Sequence, residues 1–125
     1  MNFPEDLKYT ESHEWVKVDG DTAIVGITEY AAGELGDVVF VDIPEARAVT
    51  TGETFGSIEA VKTVSDLVAP IAGTISEINA DLEGSPEIVN SDPYGGGWMV
   101  KMSIDDSSEI DGLMDAEKYK SLIGK

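Results

Sequence analysis

The chain has 125 residues, of which 8 are Lys or Arg and 25 are Asp or Glu, so its formal net charge at pH 7 is −17. Phosphate groups repel such an acidic surface, which excludes non-specific binding to nucleic acid or to an anionic membrane. The chain has no Cys and one His. This excludes disulfides, thiol nucleophiles and metal centres with several His or Cys ligands. The length predicts a single domain spanning residues 1–125.

No apolar run approaches the roughly 20 residues that a membrane-spanning helix requires. Residues 1–6 also lack the basic and apolar regions of a secretory signal. We therefore expect a cytoplasmic protein or, if the source is a eukaryote, a protein of the mitochondrial matrix whose transit peptide has been removed.

The first part of the chain predicts a β-hairpin, a short helix and a third strand. Residues 14–18 and 22–27 are rich in β-branched side chains and flank an Asp-Gly turn. The helix is expected to begin after Thr28 as N-cap and to end at Gly36. The apolar run 38–43 predicts a strand that is buried on both faces or in the core of a sandwich.

The second part predicts further short strands and then helices. The predicted strands are residues 54–61, 64–68, 74–78 and 98–104. A short helical piece is expected with Ser85 as cap and Pro86 at its first position, and the last of two C-terminal helices is expected to begin after Asp115. Short strands separated by Gly and Pro predict a mainly β fold, a small sandwich or barrel with peripheral helices. We expect these side chains to lie mostly in the core: Ile24, Ile27, Val39, Val41, Ile58, Val61 and Ile75.

Lys62 lies between the two apolar extended segments 54–61 and 64–68. If Val61 and Val64 point into a core, Lys62 projects from the tip or shoulder of a hairpin. A lysine displayed in this way is accessible to a modifying enzyme. On these residues alone, an ordinary solvated turn lysine is the more frequent explanation.

His13 stands beside Glu14, and such a pair can act as acid and base. The chain shows no nucleophile motif to accompany the pair. A surface histidine that orients the first strand is therefore the favoured interpretation.

Four segments in order carry a resemblance that covers nearly the whole chain: residues 8–16, 25–41, 59–79 and 86–98. In order and spacing they resemble the H-protein family of the glycine cleavage system, with Glu59-Ala60-Val61-Lys62-Thr63 at the position of the lipoyl-attachment segment. The family usually has Ser where this chain has Ala60 and Ala where it has Thr63. Neither departure changes the lysine or its register, so only fine recognition by the lipoylating enzyme is affected.

The resemblance implies a mainly β barrel-sandwich hybrid with short peripheral and C-terminal helices, and a monomeric carrier rather than an enzyme. It implies that Lys62 bears lipoate in amide linkage. The carrier would take an aminomethyl group from a pyridoxal-phosphate glycine decarboxylase to a tetrahydrofolate-dependent aminomethyltransferase. A dihydrolipoyl dehydrogenase would then reoxidise the dithiol, and lipoylating enzymes would be further partners.

The resemblance also implies that Ser12, Glu14 and Asp66 line a cleft that holds the cargo. The loaded group carries an amine that we expect to be cationic, so Glu14 and Asp66 would offer it charge-assisted hydrogen bonds and Ser12 a neutral one. Without the resemblance, both acids would be interpreted as outward-facing residues on a strand and a turn. No residue is predicted to bind a metal.

Other interpretations of the hairpin lysine stay open. An acyl-carrying lipoyl domain of a 2-oxo-acid dehydrogenase typically has Asp before the lysine and Ala after it, and a biotin carrier has Met on both sides. Val61 and Thr63 fit neither pattern. A protein that relays lipoate to other carriers, and an acidic binding module or small enzyme without a swinging arm, are the remaining alternatives.

Overall fold

The computed structural model describes residues 2–124, and these residues form nine strands and five helices. The strands are β1 (Lys8–Tyr9), β2 (Glu14–Asp19), β3 (Thr22–Ile27), β4 (Val38–Asp42), β5 (Ala48–Val49), β6 (Thr54–Ala60), β7 (Val64–Val68), β8 (Gly73–Ile78) and β9 (Val100–Ser103). The helices are α1 (Glu29–Leu35), α2 (Asp81–Gly84), α3 (Ile88–Ser91), α4 (Ser108–Asp111) and α5 (Ala116–Ile123). None of the helices within residues 2–124 combines the length and apolar character needed to cross a membrane.

The strands form two antiparallel sheets. The six-stranded sheet has the order β1-β2-β3-β9-β8-β5, and the three-stranded sheet has the order β4-β6-β7. One apolar cluster joins side chains of both sheets, such as Val25 and Ile75 from the larger sheet and Ile58 and Leu67 from the smaller one. Two sheets around one core, with short helices at the periphery, confirm the predicted barrel-sandwich hybrid.

The core prediction is correct for four residues, namely Ile27, Val41, Ile58 and Ile75, and Ile24 is partly buried. It is wrong for Val39 and Val61, which are both exposed, and Val64 also points to solvent rather than into the core. The run 38–43 is therefore not buried on both faces. Among the described residues, no element covers the outer face of the three-stranded sheet at these positions, so an apolar sequence there does not become core.

The local signals for α1 and α5 are confirmed. The Thr28 hydroxyl accepts a hydrogen bond from the Ala31 amide at 3.2 Å, and the positive φ of 81° at Gly36 ends the helix. The Asp115 side chain accepts a bond from the Lys118 amide at 2.8 Å at the start of α5. Such caps satisfy backbone groups that lack partners at helix ends. Because the capping side chain is a near neighbour in the chain, these helix ends can be predicted from the sequence.

Two of the predicted elements have other bounds, and one helix was not predicted. The helical piece expected at Pro86 begins at Ile88, and Ser85 makes no side-chain cap for it. The strand expected over 98–104 is shorter, Val100–Ser103. The helix α2 was not expected, because its four residues show only one apolar side chain, Leu82, which is buried.

Two glycines with opposite surroundings test how tightly the sheet is packed. A Cβ added at Gly73 in β8 would lie 1.9 Å from the Ser103 carbonyl oxygen, whereas one added at Gly84 would meet nothing within 4 Å. Gly73→Ala should therefore lower the free energy of unfolding by about 3 kcal/mol, since the backbone of β9 has to move. Gly84→Ala should raise it by up to about 1 kcal/mol, because alanine favours helix. Urea unfolding of both variants measures this, and equal stabilities would contradict the close contact between β8 and β9.

Candidate functional site

Lys62 lies in the turn that joins β6 to β7, and it is exposed as predicted. The Ala60 amide donates to the Thr63 carbonyl at 2.8 Å, which closes the turn. The Val61 amide donates to the Asp37 carbonyl at 3.0 Å, which ties the turn to the residue before β4. The lysine therefore sits on a hydrogen-bonded support rather than on a free loop.

The Lys62 side chain lies across the end of α1. A Cβ added at Gly36 would be 3.0 Å from the Lys62 Cε atom, so a bare backbone at this position leaves room for the lysine stem. The Asn90 side chain fixes this stretch of backbone, since it donates to the Gly36 carbonyl and accepts from the Val38 amide, each at 2.8 Å. Within residues 2–124, the ion pairs are Arg47–Glu53 and Lys101–Glu77, so no carboxylate pairs with the Lys62 ammonium.

A cleft of about 230 Å³ lies between the start of β2, helix α1 and the β6–β7 hairpin. Ser12, Glu14 and Asp66 all line it, so the structure brings together the three residues that the resemblance implied. Another part of its lining is apolar, with Leu35 and Ile58 among its residues. The cleft thus offers both an apolar surface and carboxylates.

Glu14 is the buried carboxyl group of the cleft, with 2% of the residue exposed. Its Oε1 accepts hydrogen bonds from the Ser12 hydroxyl at 2.5 Å and from the Thr10 hydroxyl at 2.9 Å. Burial raises the pKa of Glu14 to about 7, and the bonds from Ser12, Thr10 and the Val68 amide offset part of this effect. Near neutral pH this carboxyl group can therefore hold or release a proton.

The other two predicted residues are placed differently, because Ser12 and Asp66 are exposed. Asp66 lies on β7 opposite Ser57 of β6, four positions after Lys62. Asp66 therefore lies at the solvent-exposed edge of the cleft, whereas Glu14 lines its interior. The cleft can meet a cation with one exposed and one buried carboxyl group.

Sequence reasoning missed the contribution of α1 to the cleft. Tyr30 and Glu34 both line it, as do Ala31 and Leu35. Each pair is spaced by four residues, and residues four apart share a helix face. The predicted helix therefore contained this signal, but nothing in the sequence indicated which of its faces meets the site.

His13, which was expected at the surface, is partly buried and lies at the edge of the cleft. Its φ of 71° is unusual for a residue with a side chain. Its Nδ1 lies 2.8 Å from the Tyr119 hydroxyl, which is also 2.8 Å from the Thr28 hydroxyl. Burial lowers the pKa of His13, and the charge of Glu34 partly opposes this. The histidine thus connects α5 to the cap of α1, a structural position rather than that of an acid–base partner of Glu14.

The raised pKa of Glu14 predicts a specific pH dependence of stability. In the folded protein the Glu14 carboxyl group keeps its proton up to about pH 7, whereas in the unfolded chain it loses this proton near pH 4.5. The free energy of unfolding therefore falls as the pH rises between these values. From pH 4 to pH 8, the free energy of unfolding of Glu14→Gln should rise by about 3 kcal/mol relative to that of the parent. Urea unfolding across this range measures the difference, with the exposed Glu59→Gln as control. A parallel pH profile for parent and Glu14→Gln, or a carboxyl titration midpoint near 4.5 by nuclear magnetic resonance, would contradict it.

Comparisons with known proteins identify the family of this chain. The sequence model of the family described as glycine cleavage H-protein matches residues 7–125. The glycine cleavage system H protein of Staphylococcus carnosus is 56% identical over 126 aligned positions, which cover 100% of both chains. That of Bacteroides thetaiotaomicron is 57% identical over 124 positions, with 98% of each chain covered.

The fold leads to the same family. A crystal structure of a glycine cleavage system H protein from Mycobacterium marinum superimposes with a TM-score of 0.90 at 38% identity, covering 98% of this chain and 100% of the other. The match extends over both sheets and the helices, so it is not confined to the hairpin. The chain therefore belongs to the glycine cleavage H-protein family, whose members are non-catalytic components of the glycine cleavage system.

Proposed function

We propose that this chain carries a lipoyl group in amide linkage to Lys62 and shuttles the aminomethyl group derived from glycine. In this proposal the glycine decarboxylase loads the carrier, the aminomethyltransferase unloads it, and dihydrolipoyl dehydrogenase reoxidises it. The observation that carries the proposal is an exposed, unpaired lysine on a fixed turn, next to a cleft with carboxylates and an apolar surface. Membership of the family supports it.

The residues around Lys62 fit a lipoyl group. The amine is accessible for acylation, and its four-carbon stem adds rotatable bonds to the arm. Acylation removes the charge of the lysine and breaks no ion pair, since none holds this amine within residues 2–124. When bound, the lipoyl group supplies a dithiolane that takes up and releases the aminomethyl group.

The apolar surface of the cleft suits the hydrocarbon part of such an arm. Tyr30, Ala31 and Leu35 are partly exposed there, and an arm lying against them removes apolar surface from water. The tether also keeps the cargo at high local concentration for each enzyme without permanent association. The same arm can therefore lie sheltered in the cleft or move to a partner enzyme.

The carboxyl groups of the cleft suit the cationic end of the cargo. An ammonium group close to Glu14 favours the ionised form of the carboxyl group, which then accepts a charge-assisted hydrogen bond. Ser12 and Thr10 donate to Glu14 and hold the carboxyl group in place. Asp66 adds a second negative charge on the exposed side. These groups retain the amine and limit its contact with water.

Replacement of Lys62 tests the attachment site. Lys62→Arg should keep the fold, because the position is exposed, but it should abolish glycine cleavage in a reconstituted system, since a guanidinium group does not form the lipoyl amide. Lys17→Arg, at an exposed lysine of β2, is the matched control and should keep the activity of the parent. Glycine cleavage sustained by the Lys62→Arg protein would rule out Lys62.

Replacement of Glu14 tests cargo holding separately from attachment. Glu14→Gln should still be lipoylated and reoxidised, but the aminomethylated form should decay about tenfold faster, because a charge-assisted hydrogen bond is lost. Mass spectrometry after loading by the decarboxylase follows the decay, with Glu59→Gln as the control outside the cleft. Equal lifetimes for the parent and the Glu14→Gln protein would remove Glu14 from the mechanism.

A further inference from the structure

Large apolar side chains are exposed at six positions of residues 2–124, and four of these surround Lys62. They are Val39 (47% exposed), Phe40 (52%), Val61 (73%) and Val64 (60%). We call these four residues the apolar collar. In a chain with a net charge of −17, such a cluster is not explained by solubility, and exposed apolar clusters commonly mark interaction surfaces.

The strand register makes the collar continuous. Phe40 of β4 lies opposite Glu59 of β6, and Glu59 lies opposite Val64 of β7, so Phe40 and Val64 flank a single residue on the outer face. The shift in register between Val38 and Phe40 turns both Val39 and Phe40 outward. The Val61 amide bonds to the Asp37 carbonyl, which holds Val61 beside the start of β4.

The collar has an acidic edge. Two residues further from the turn, Asp42, Ser57 and Asp66 form the next outward row across the three strands, and all but Ser57 are exposed acids. Asp37, also exposed, lies on the other side of the collar. The surface around Lys62 therefore combines the exposed apolar side chains of the collar, which flank the exposed Glu59, with a negative rim.

We propose that the apolar collar is the docking surface for the enzyme that acylates Lys62, an inference that rests on the proposed function. The contact surface of that enzyme is then apolar where it meets the collar, with Lys and Arg side chains that complement Glu59 and the acidic rim. The lipoyl arm itself extends to the enzymes that act on the loaded carrier. The acylating enzyme instead has to receive the bare lysine.

The short reach of the unmodified lysine is the reason why the acylating enzyme has to contact the surface around it. Its amine stands on a stem of only four carbons, and in this structure part of that stem lies across Gly36. For Nζ to enter an active site, the surface of that enzyme has to cover the residues on both sides of the turn. These residues are Val61 and Val64 along the chain and Val39 and Phe40 from the neighbouring strand.

The acylation requires only an activated lipoyl donor, an acyl adenylate or thioester. The deprotonated Nζ attacks the acyl carbon, the amide bond forms, and the bond from that carbon to the leaving group breaks. The leaving group departs with the electron pair, and Nζ loses a second proton as the amide forms. The collar takes no part in these steps and contributes binding alone.

Two variants and one matched control test the docking surface. Phe40→Thr and Val64→Thr remove apolar surface at positions where a β-branched residue suits the strand. Val18→Thr makes the same change as Val64→Thr at an exposed valine of the other sheet, 42% exposed. A purified lipoylating enzyme with its activated donor is the probe, and intact mass follows the acylation of each chain.

We expect Phe40→Thr and Val64→Thr each to raise the KM of the chain about tenfold with kcat unchanged, because the lost contact contributes to binding only. Val18→Thr should match the parent. As a readout without acylation, the Lys62→Arg chain should inhibit competitively, and adding Phe40→Thr should weaken this inhibition by a similar factor. Circular dichroism and urea unfolding verify that all variants fold as the parent does.

The outcomes separate the two proposals. If the parent is acylated at Lys62 but the collar variants match it in KM and in inhibition, the docking surface is overturned and the proposed function stands. If the enzyme does not acylate Lys62 of the parent, the proposed function fails and the docking proposal with it. A rise in KM for Val18→Thr equal to that for Val64→Thr would also overturn the assignment to the collar.

Discussion

The burial of one carboxyl group between two sheets is the constraint around which the site is arranged. Glu14 stands at the start of β2 in the larger sheet, and it lines the cleft together with Asp66 and Leu67 of β7 in the smaller one. Its pKa near 7 shows that ionisation is disfavoured in the folded state, so this group weakens folding at neutral and higher pH. An apolar residue would fill the same space without that cost. A carboxyl group retained in such a position beside a cleft is typical of a functional site.

The β6–β7 hairpin connects the exposed and the sheltered parts of the molecule. Its turn presents Lys62 to solvent, and further along the same hairpin Ile58 and Asp66 line the cleft. Helix α1 completes this arrangement, because Tyr30 and Leu35 line the cleft and Gly36 leaves space for the Lys62 stem. Attachment, shelter and the proposed docking surface therefore all involve the β6–β7 hairpin, to which β2, β4 and α1 each add residues. The chemistry is left to the enzymes that the carrier visits.

Local signals in the sequence predicted most of the fold, and the resemblance predicted the site. The helix ends could be predicted from Thr28, Gly36 and Asp115, because a capping residue acts on its own neighbours in the chain. Val39 and Val61 were misassigned to the core because an apolar strand does not reveal whether another element covers its outer face. The burial of Glu14 likewise depends on β7, which lies some fifty residues away in sequence. Val39 and Val61 lie at the proposed docking surface and Glu14 lies in the cleft, where the chain departs from the usual division between apolar core and polar surface.

The most direct test of the central claim is peptide mass mapping of the chain after expression together with lipoylating enzymes and lipoate. The account predicts that one lipoyl group is added and that fragmentation places it on Lys62 alone, although other lysines, such as Lys17, are also exposed. An unmodified chain under conditions in which a known H protein is fully lipoylated, or a lipoyl group on a different lysine, would contradict the account.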